Sequence, residues 1–166
     1  MALLIGPSSV GKSLLLKRLT TDEKDKELVA TVPSIGTSLV KVQVSRKKSV
    51  TIRELGGSMA PVWPDYYSDV AAIIFVVDAS NLQQVGAATI QFIHLLNSPQ
   101  TQSSKILLLF NKLDLVTSEA DKGKFMHLFM LDDILRHSRQ EVSVAEVSAL
   151  NRTGFAAMKE WLELCA

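Results

Sequence analysis

Apolar and polar positions along the chain fall into two kinds of block that take turns. Continuous apolar runs at Ala2-Leu3-Leu4-Ile5, over residues 71–77 and over residues 105–110 predict strands buried on both faces. Residues 142–147 predict one more. Residues 39–44 and 49–53 instead alternate apolar with polar, and the basic turn Ser45-Arg46-Lys47-Lys48 between them makes the pair an antiparallel hairpin. Helical spacing appears over residues 13–19, through Leu82, Val85, Ala88, Phe92 and Leu95, near residues 119–131, and in a final stripe of Phe155, Met158, Leu162 and Cys165. The polar stretch over residues 20–27 reads as a loop or a frayed helix end. Strands alternating with helices predict an α/β architecture, an open and mostly parallel six-stranded sheet with helices on both faces and one antiparallel edge strand. Residues 1–166 contain no repeat or linker and are expected to form one domain.

Composition removes several function classes. A formal charge of +1 gives no bulk attraction for nucleic acid or a membrane surface. The one cysteine, Cys165, leaves no disulfide framework and points to a reducing, cytoplasmic setting. The apolar run from Val70 to Val77 is too short to span a bilayer. The chain opens directly on a predicted strand, so no signal peptide is expected. Ala2 stands where N-myristoylation needs glycine, and Cys165 lies outside a prenylation box, so no direct lipid anchor is expected.

The chemistry starts at Gly6-Pro7-Ser8-Ser9-Val10-Gly11-Lys12-Ser13, which has the form G-x-x-x-x-G-K-[ST] with a strand before it and a helix after it. Its glycines let the backbone N–H groups of Ser8, Ser9, Val10 and Gly11 curl around phosphate oxygens. The helix N-terminus adds partial positive charge, Lys12 neutralises the β- and γ-phosphates, and Ser13 offers a hydroxyl to Mg²⁺. A glycine loop that merely turns the chain is the plainer alternative, and the flanking strand and helix favour phosphate binding. Asn111-Lys112-Leu113-Asp114 and Ser148-Ala149-Leu150 fall at the ends of later strands, where ligands sit in such sheets. The Asp114 carboxylate accepts from N1–H and the 2-amino group of guanine, a donor pair that adenine lacks. A backbone N–H of Ser148-Ala149-Leu150 is placed to bond guanine O6. Alone, either stretch is a common strand-end loop; in this order behind the phosphate loop they predict GTP or GDP.

These residues resemble the small GTPases of the Ras superfamily, and the rest of the chain resembles its ADP-ribosylation factor branch. Val32-Pro33-Ser34-Ile35-Gly36 is similar to the switch I segment of that branch, Gly56-Gly57 to its double glycine, and Trp63-Pro64-Asp65-Tyr66-Tyr67 to its switch II aromatics. Phe75-Val76-Val77-Asp78-Ala79-Ser80 fits as well, and Arg53-Glu54-Leu55-Gly56-Gly57 resembles a divergent member. The resemblance covers essentially the whole chain. It implies a P-loop NTPase G domain that switches between GTP and GDP with Mg²⁺ and hydrolyses GTP. Gly57, Asn111 and Lys112 join the nucleotide site, and Ser13, Ser34 and Glu54 surround Mg²⁺. Effectors are expected at the switch regions and the interswitch hairpin, with an exchange factor and a GTPase-activating protein, in membrane traffic or cilia. The chain is expected to be cytoplasmic, recruited to membranes or cilia by partners, as a monomer or a subunit of a hetero-complex.

Departures from that pattern bear on mechanism. Glu54 stands where the family has an Asp that holds Mg²⁺ through water. Mg²⁺ tolerates little distortion, so a shifted carboxylate or a displaced water must absorb the extra methylene. Ser58 stands where the family has a Gln that orients the attacking water. The switch II stretch before Trp63 is shortened. Ser34 replaces a Thr and keeps the hydroxyl for Mg²⁺ and the N–H for the γ-phosphate. The catalytic roles therefore fall to Lys12, Ser34 and Ser58, and unaided hydrolysis is expected to be very weak. The family's aromatic effector triad maps onto Thr37, Arg53 and Tyr66, of which only the last is aromatic.

A slow regulatory switch is thus the leading reading, with a non-hydrolysing GTP-binding scaffold as its rival. A phosphoryl-transferring kinase leaves Asp114 and Ser148-Ala149 unexplained. Arg46-Lys47-Lys48 reads as a solvated turn before it reads as a lipid contact. His94, His127 and His137 lack metal-ligand spacing. Trp63, Tyr66 and Tyr67 fit an effector surface or core packing equally.

Overall fold

The computed structural model describes residues 1–21, 36–68 and 70–165. In chain order it forms β1 (Ala2–Ile5), α1 (Lys12–Thr20), β2 (Thr37–Gln43), β3 (Ser49–Leu55), a 3₁₀ segment (Gly57–Tyr66), β4 (Ala72–Asp78) and α2 (Val85–Asn97). Then follow β5 (Lys105–Asn111), α3 (Glu119–Leu128), α4 (Leu131–His137), β6 (Val142–Glu146) and α5 (Phe155–Leu164), with short 3₁₀ turns at Pro99–Thr101 and Leu113–Leu115. The strands make one six-stranded sheet in the order β2-β3-β1-β4-β5-β6. β2 pairs antiparallel with β3 at one edge, and every other pairing is parallel. The architecture expected from the sequence is the one observed.

The continuous apolar runs are explained by two cores, one on each face of the sheet. Alternate residues of β4 serve opposite sides, because successive side chains along a strand point to opposite faces. Ile73, Phe75 and Val77 join Phe92 of α2, Phe110, Phe125 and Phe129 on one side. Ala72, Ile74 and Val76 join Leu15 and Leu16 of α1 and Met158 and Leu162 of α5 on the other. Full burial of each such side chain contributes about 1.5–3 kcal/mol. The phenylalanines also meet ring to ring, Phe110 standing edge-on to Phe125 at 5.8 Å and to Phe129 at 5.5 Å.

Three details differ from the periodicity. The helix expected from Leu82 begins only at Val85, and Leu82 is exposed. The Asn81 side chain accepts from the N–H groups of Gln83 and Gln84, both at 3.1 Å, and this turn takes the place of a first helical turn. The helix expected over residues 119–131 is two helices, broken at Met130, which has φ 57°. The break lets Phe125, Phe129 and Ile134 all reach one core, which a straight helix of that length cannot arrange. Cys165 lies past the end of α5 as its capping residue.

The choice left open for the switch II aromatics is decided ring by ring. Trp63 and Tyr67 are buried in the core, the Trp63 indole donating to the Gly56 carbonyl at 3.2 Å. Burial pushes the Tyr67 hydroxyl up to about 12. Tyr66 is half-buried, with the Arg53 guanidinium 5.5 Å from its ring centre. Arg46, Lys47 and Lys48 form an exposed turn, and His94, His127 and His137 are all exposed.

Candidate functional site

The parallel strands β1, β4, β5 and β6 end on the same side of the sheet, and the predicted site residues gather beyond those ends. The phosphate-type loop leaves β1 and turns into α1 at Lys12. Gly11 has φ 95°, and a Cβ there would lie 2.5 Å from the Asn111 Nδ2, so only glycine fits. Ser8 and Ser9 are exposed and Val10 is buried. Lys12 is buried under the loop, its ammonium donating to the carbonyls of Gly6 at 2.8 Å and Pro7 at 2.7 Å. Burial lowers its pKa to about 8, with the Glu54 carboxylate acting in the opposite direction.

Glu54, at the end of β3, is buried beside the loop. Its Oε1 accepts from the Ser13 hydroxyl at 2.6 Å, and its Oε2 accepts from the Ser38 hydroxyl at 3.4 Å. The longer side chain thus bends back onto the first turn of α1. Gly57 opens the 3₁₀ segment and presses on the loop from the same side, since a Cβ there would lie 2.2 Å from the Ser8 N. Ser58, the next residue, is exposed. Ser34 and the rest of the Val32-Pro33-Ser34-Ile35 stretch lie outside the described residues.

Asn111 joins the loops to one another. Buried at the end of β5, its Nδ2 donates to the Val10 carbonyl at 2.8 Å, and its Oδ1 accepts from the Ala149 N–H at 3.0 Å. One side chain therefore ties the phosphate-type loop to the Ser148-Ala149-Leu150 stretch. The Ser148 hydroxyl donates to Asp114 Oδ1 and accepts from the Asn151 N–H, so the Asp114 carboxylate is held at the open face. Leu150 is exposed at the rim. Lys112 has φ 64° and reaches across the site to an ion pair with Asp78 at 2.8 Å.

Sequence reasoning gave no site role to two residues here. Asp78 accepts from the Ser80 N–H and hydroxyl and pairs with Lys112. Its signal was present, a carboxylate closing an apolar strand, in register with Asn111. Gln84 donates to the Ser8 carbonyl at 3.0 Å, a contact between residues far apart in the chain that no local pattern announces.

Mg²⁺ takes hard oxygen ligands and usually few from protein. The hydroxyl of Ser13 and the carboxylate of Glu54, which bond each other beside the loop, suit such an ion completed by phosphate and water. Among the described residues no cluster of three or more His, Cys, Asp and Glu forms a separate all-protein metal cage.

Fold and loop define a P-loop GTPase-type G domain. The chain belongs to the ADP-ribosylation factor family, whose family model matches residues 1–165. It is 40% identical to human ADP-ribosylation factor-like protein 16 over 98% of this chain and 84% of that protein. It is 29% identical to ADP-ribosylation factor-like protein 1 of Saccharomyces cerevisiae over 96% and 84% of the two chains. Among solved structures, the Arl6 BBS3 small GTPase of Trypanosoma brucei, with bound nucleotide analogue GppNp, superposes with a TM-score of 0.80 at 16% identity, over 99% of this chain and 95% of that one. A structure of the mammalian SRP receptor gives a TM-score of 0.75 at 20% identity, over 99% of both chains. Family membership makes the chain a guanine-nucleotide-binding small GTPase, of a family that works with effectors, exchange factors and activating proteins. Among the described residues no helix is long and apolar enough to cross a membrane.

Proposed function

We propose that residues 1–166 form one G domain that acts as a GTP/GDP switch with slow unaided hydrolysis. The carrying observation is Asn111, whose side chain bonds the phosphate-type loop and the Ala149 loop together while Asp114 stands braced by Ser148 beside them. That arrangement supports a ligand with phosphates at one end and a hydrogen-bonding base at the other. In this reading the N–H groups of Ser8, Ser9, Val10, Gly11, Lys12 and Ser13 hold the phosphates, and the Lys12 ammonium turns from the Gly6 and Pro7 carbonyls toward them. Asp114 accepts from the guanine edge, Lys112 flanks the base, and the Ser148-Ala149-Leu150 backbone bonds O6. Ser13, Ser34 and Glu54 hold Mg²⁺, which supplies charge neutralisation at the β- and γ-phosphates when bound. Gly57 offers its N–H on the γ-phosphate side.

Hydrolysis is slow because Ser58 is too short to orient a water, and the proposed unaided rate is at or below about 10⁻⁴ s⁻¹. An activating protein then contributes the water-orienting group. Effectors engage the switch segments and the β2–β3 hairpin, and partners recruit the chain from the cytoplasm to membranes or cilia. Ser58 and Glu54 also motivate the second reading, a GTP-holding scaffold that does not hydrolyse. Identifying the nucleotide retained by the purified protein, then following single-turnover cleavage of bound GTP, tests both. Retained GTP that stays intact selects the scaffold, slow cleavage selects the switch, and equal affinity for ATP and GTP overturns the assignment of the base site.

A further inference from the structure

Arg152 lies in the turn after Ser148-Ala149-Leu150 and has φ 61°, in the left-handed region that favours glycine. A side chain held there against backbone preference points to a role for the side chain. Its guanidinium leaves its own loop. Nη1 donates to the Arg18 carbonyl at 2.9 Å and the Thr21 carbonyl at 3.1 Å, and Nη2 donates to the Thr21 hydroxyl at 3.0 Å. These acceptors belong to the last turn of α1 and the residue that caps it, where carbonyls lack helical partners and the helix dipole is negative. At its own end, the loop is closed by the Ser148 N–H donating to the Thr153 carbonyl at 3.1 Å.

We propose that Arg152 is a positioning residue that sets how long the nucleotide stays bound, by fastening the base-side loop to the far end of the phosphate-side helix. The inference rests on the nucleotide-binding reading above. Helix α1 starts at Lys12 and Ser13, and Thr21 directly precedes the stretch that carries Ser34. A nucleotide leaves when the base loop swings away or when the phosphate grip opens. Arg152 makes the first motion pull on the second, so the loop cannot open alone. The planar fork of arginine reaches the Arg18 and Thr21 acceptors from two nitrogens held at a fixed spacing, whereas lysine must reach them from one.

The test is the release and association of a fluorescent GDP, read for the wild type, Arg152→Gly, Arg152→Lys, Thr21→Val and the Arg152→Gly/Thr21→Val double variant. Glycine accepts the left-handed backbone, so Arg152→Gly removes the guanidinium without straining the turn. Release is expected to quicken about tenfold in Arg152→Gly, the effect of losing hydrogen bonds from a charged donor. Association should stay within about twofold and the preference for guanine over adenine should be unchanged, while Arg152→Lys falls between and the double variant releases more slowly than the product of the two single effects. Release unchanged in Arg152→Gly overturns the proposal. So does faster release accompanied by lost guanine preference, or additive effects in the double variant, since each makes Arg152 a part of general loop stability. A wild type that binds no GDP overturns the nucleotide reading itself.

Discussion

The base side and the phosphate side of the proposed site are built from different materials. On the base side, Asn111, Asp114 and Ser148 bond one another's loops, which follow the buried strand β5 and the edge strand β6, and Arg152 reaches from there to the end of α1. On the phosphate side, the exposed Ser58 sits on a 3₁₀ segment that contains Pro61 and Pro64. That segment is fixed to the sheet by the Trp63 ring packed edge-on against Phe75 of β4, and to the loop by the close approach of Gly57. In the proposed reading, recognition rests on side chains braced by the core, and hydrolysis depends on where one backbone segment places a short side chain. In that reading the base side can be kept while position 58 varies, because the Ser58 side chain is exposed.

The largest expected effect strikes the base side. Asp114→Asn exchanges an acceptor for a donor facing the guanine N1–H and amino group, and guanine preference over adenine should fall on the order of 10⁴-fold. Competition binding with GDP, xanthosine diphosphate and ADP reads it, and the variant should gain affinity for xanthine, whose 2-oxo group accepts from the new amide. An unchanged preference would mean that the base does not meet Asp114.

Next comes Asn111→Ala. It leaves the Val10 carbonyl and Ala149 N–H without the bonds that join the two loops, and the combined loss should be about 2–6 kcal/mol. Calorimetric titration with GDP checks it. Affinity within error of the wild type would break the claim that this side chain holds the site together.

A smaller effect belongs to Lys12 and is read by pH. Its pKa in the ligand-free protein is lowered to about 8 by burial, whereas bound phosphates favour the ammonium. Above pH 8 binding must therefore take up a proton, so affinity for GDP should fall with rising pH, by up to about tenfold per unit. Below pH 8 the ammonium is already formed and the profile should be flat. Lys12→Met should bind weakly at every pH and lose the slope.

Ser58→Gln is expected to do least. The 3₁₀ backbone that carries position 58 is pinned by Gly57 and Trp63, so the restored carboxamide should raise unaided single-turnover cleavage by no more than about tenfold. A rise of several orders would show that the side chain alone was missing, and would bring the phosphate side closer in character to the base side.

The sequence by itself determined the sheet, its antiparallel edge and the loops that gather beyond the strand ends. Those features are local: a strand buried on both faces must be apolar throughout, and a loop that wraps phosphate needs glycine at fixed spacing. Even Glu54 and Ser58 stood out as departures within short motifs. Tertiary structure alone decided what depends on residues distant in the chain. It placed Trp63 and Tyr67 in the core rather than on a surface, because the 3₁₀ segment lies against Phe75. It broke the helix at Met130 so that three apolar side chains could share one interior. And it brought Gln84 to Ser8, because β1 and β4 are parallel neighbours that end on the same side, and Arg152 to Thr21, because the long side chain reaches from the loop after β6 to the end of α1.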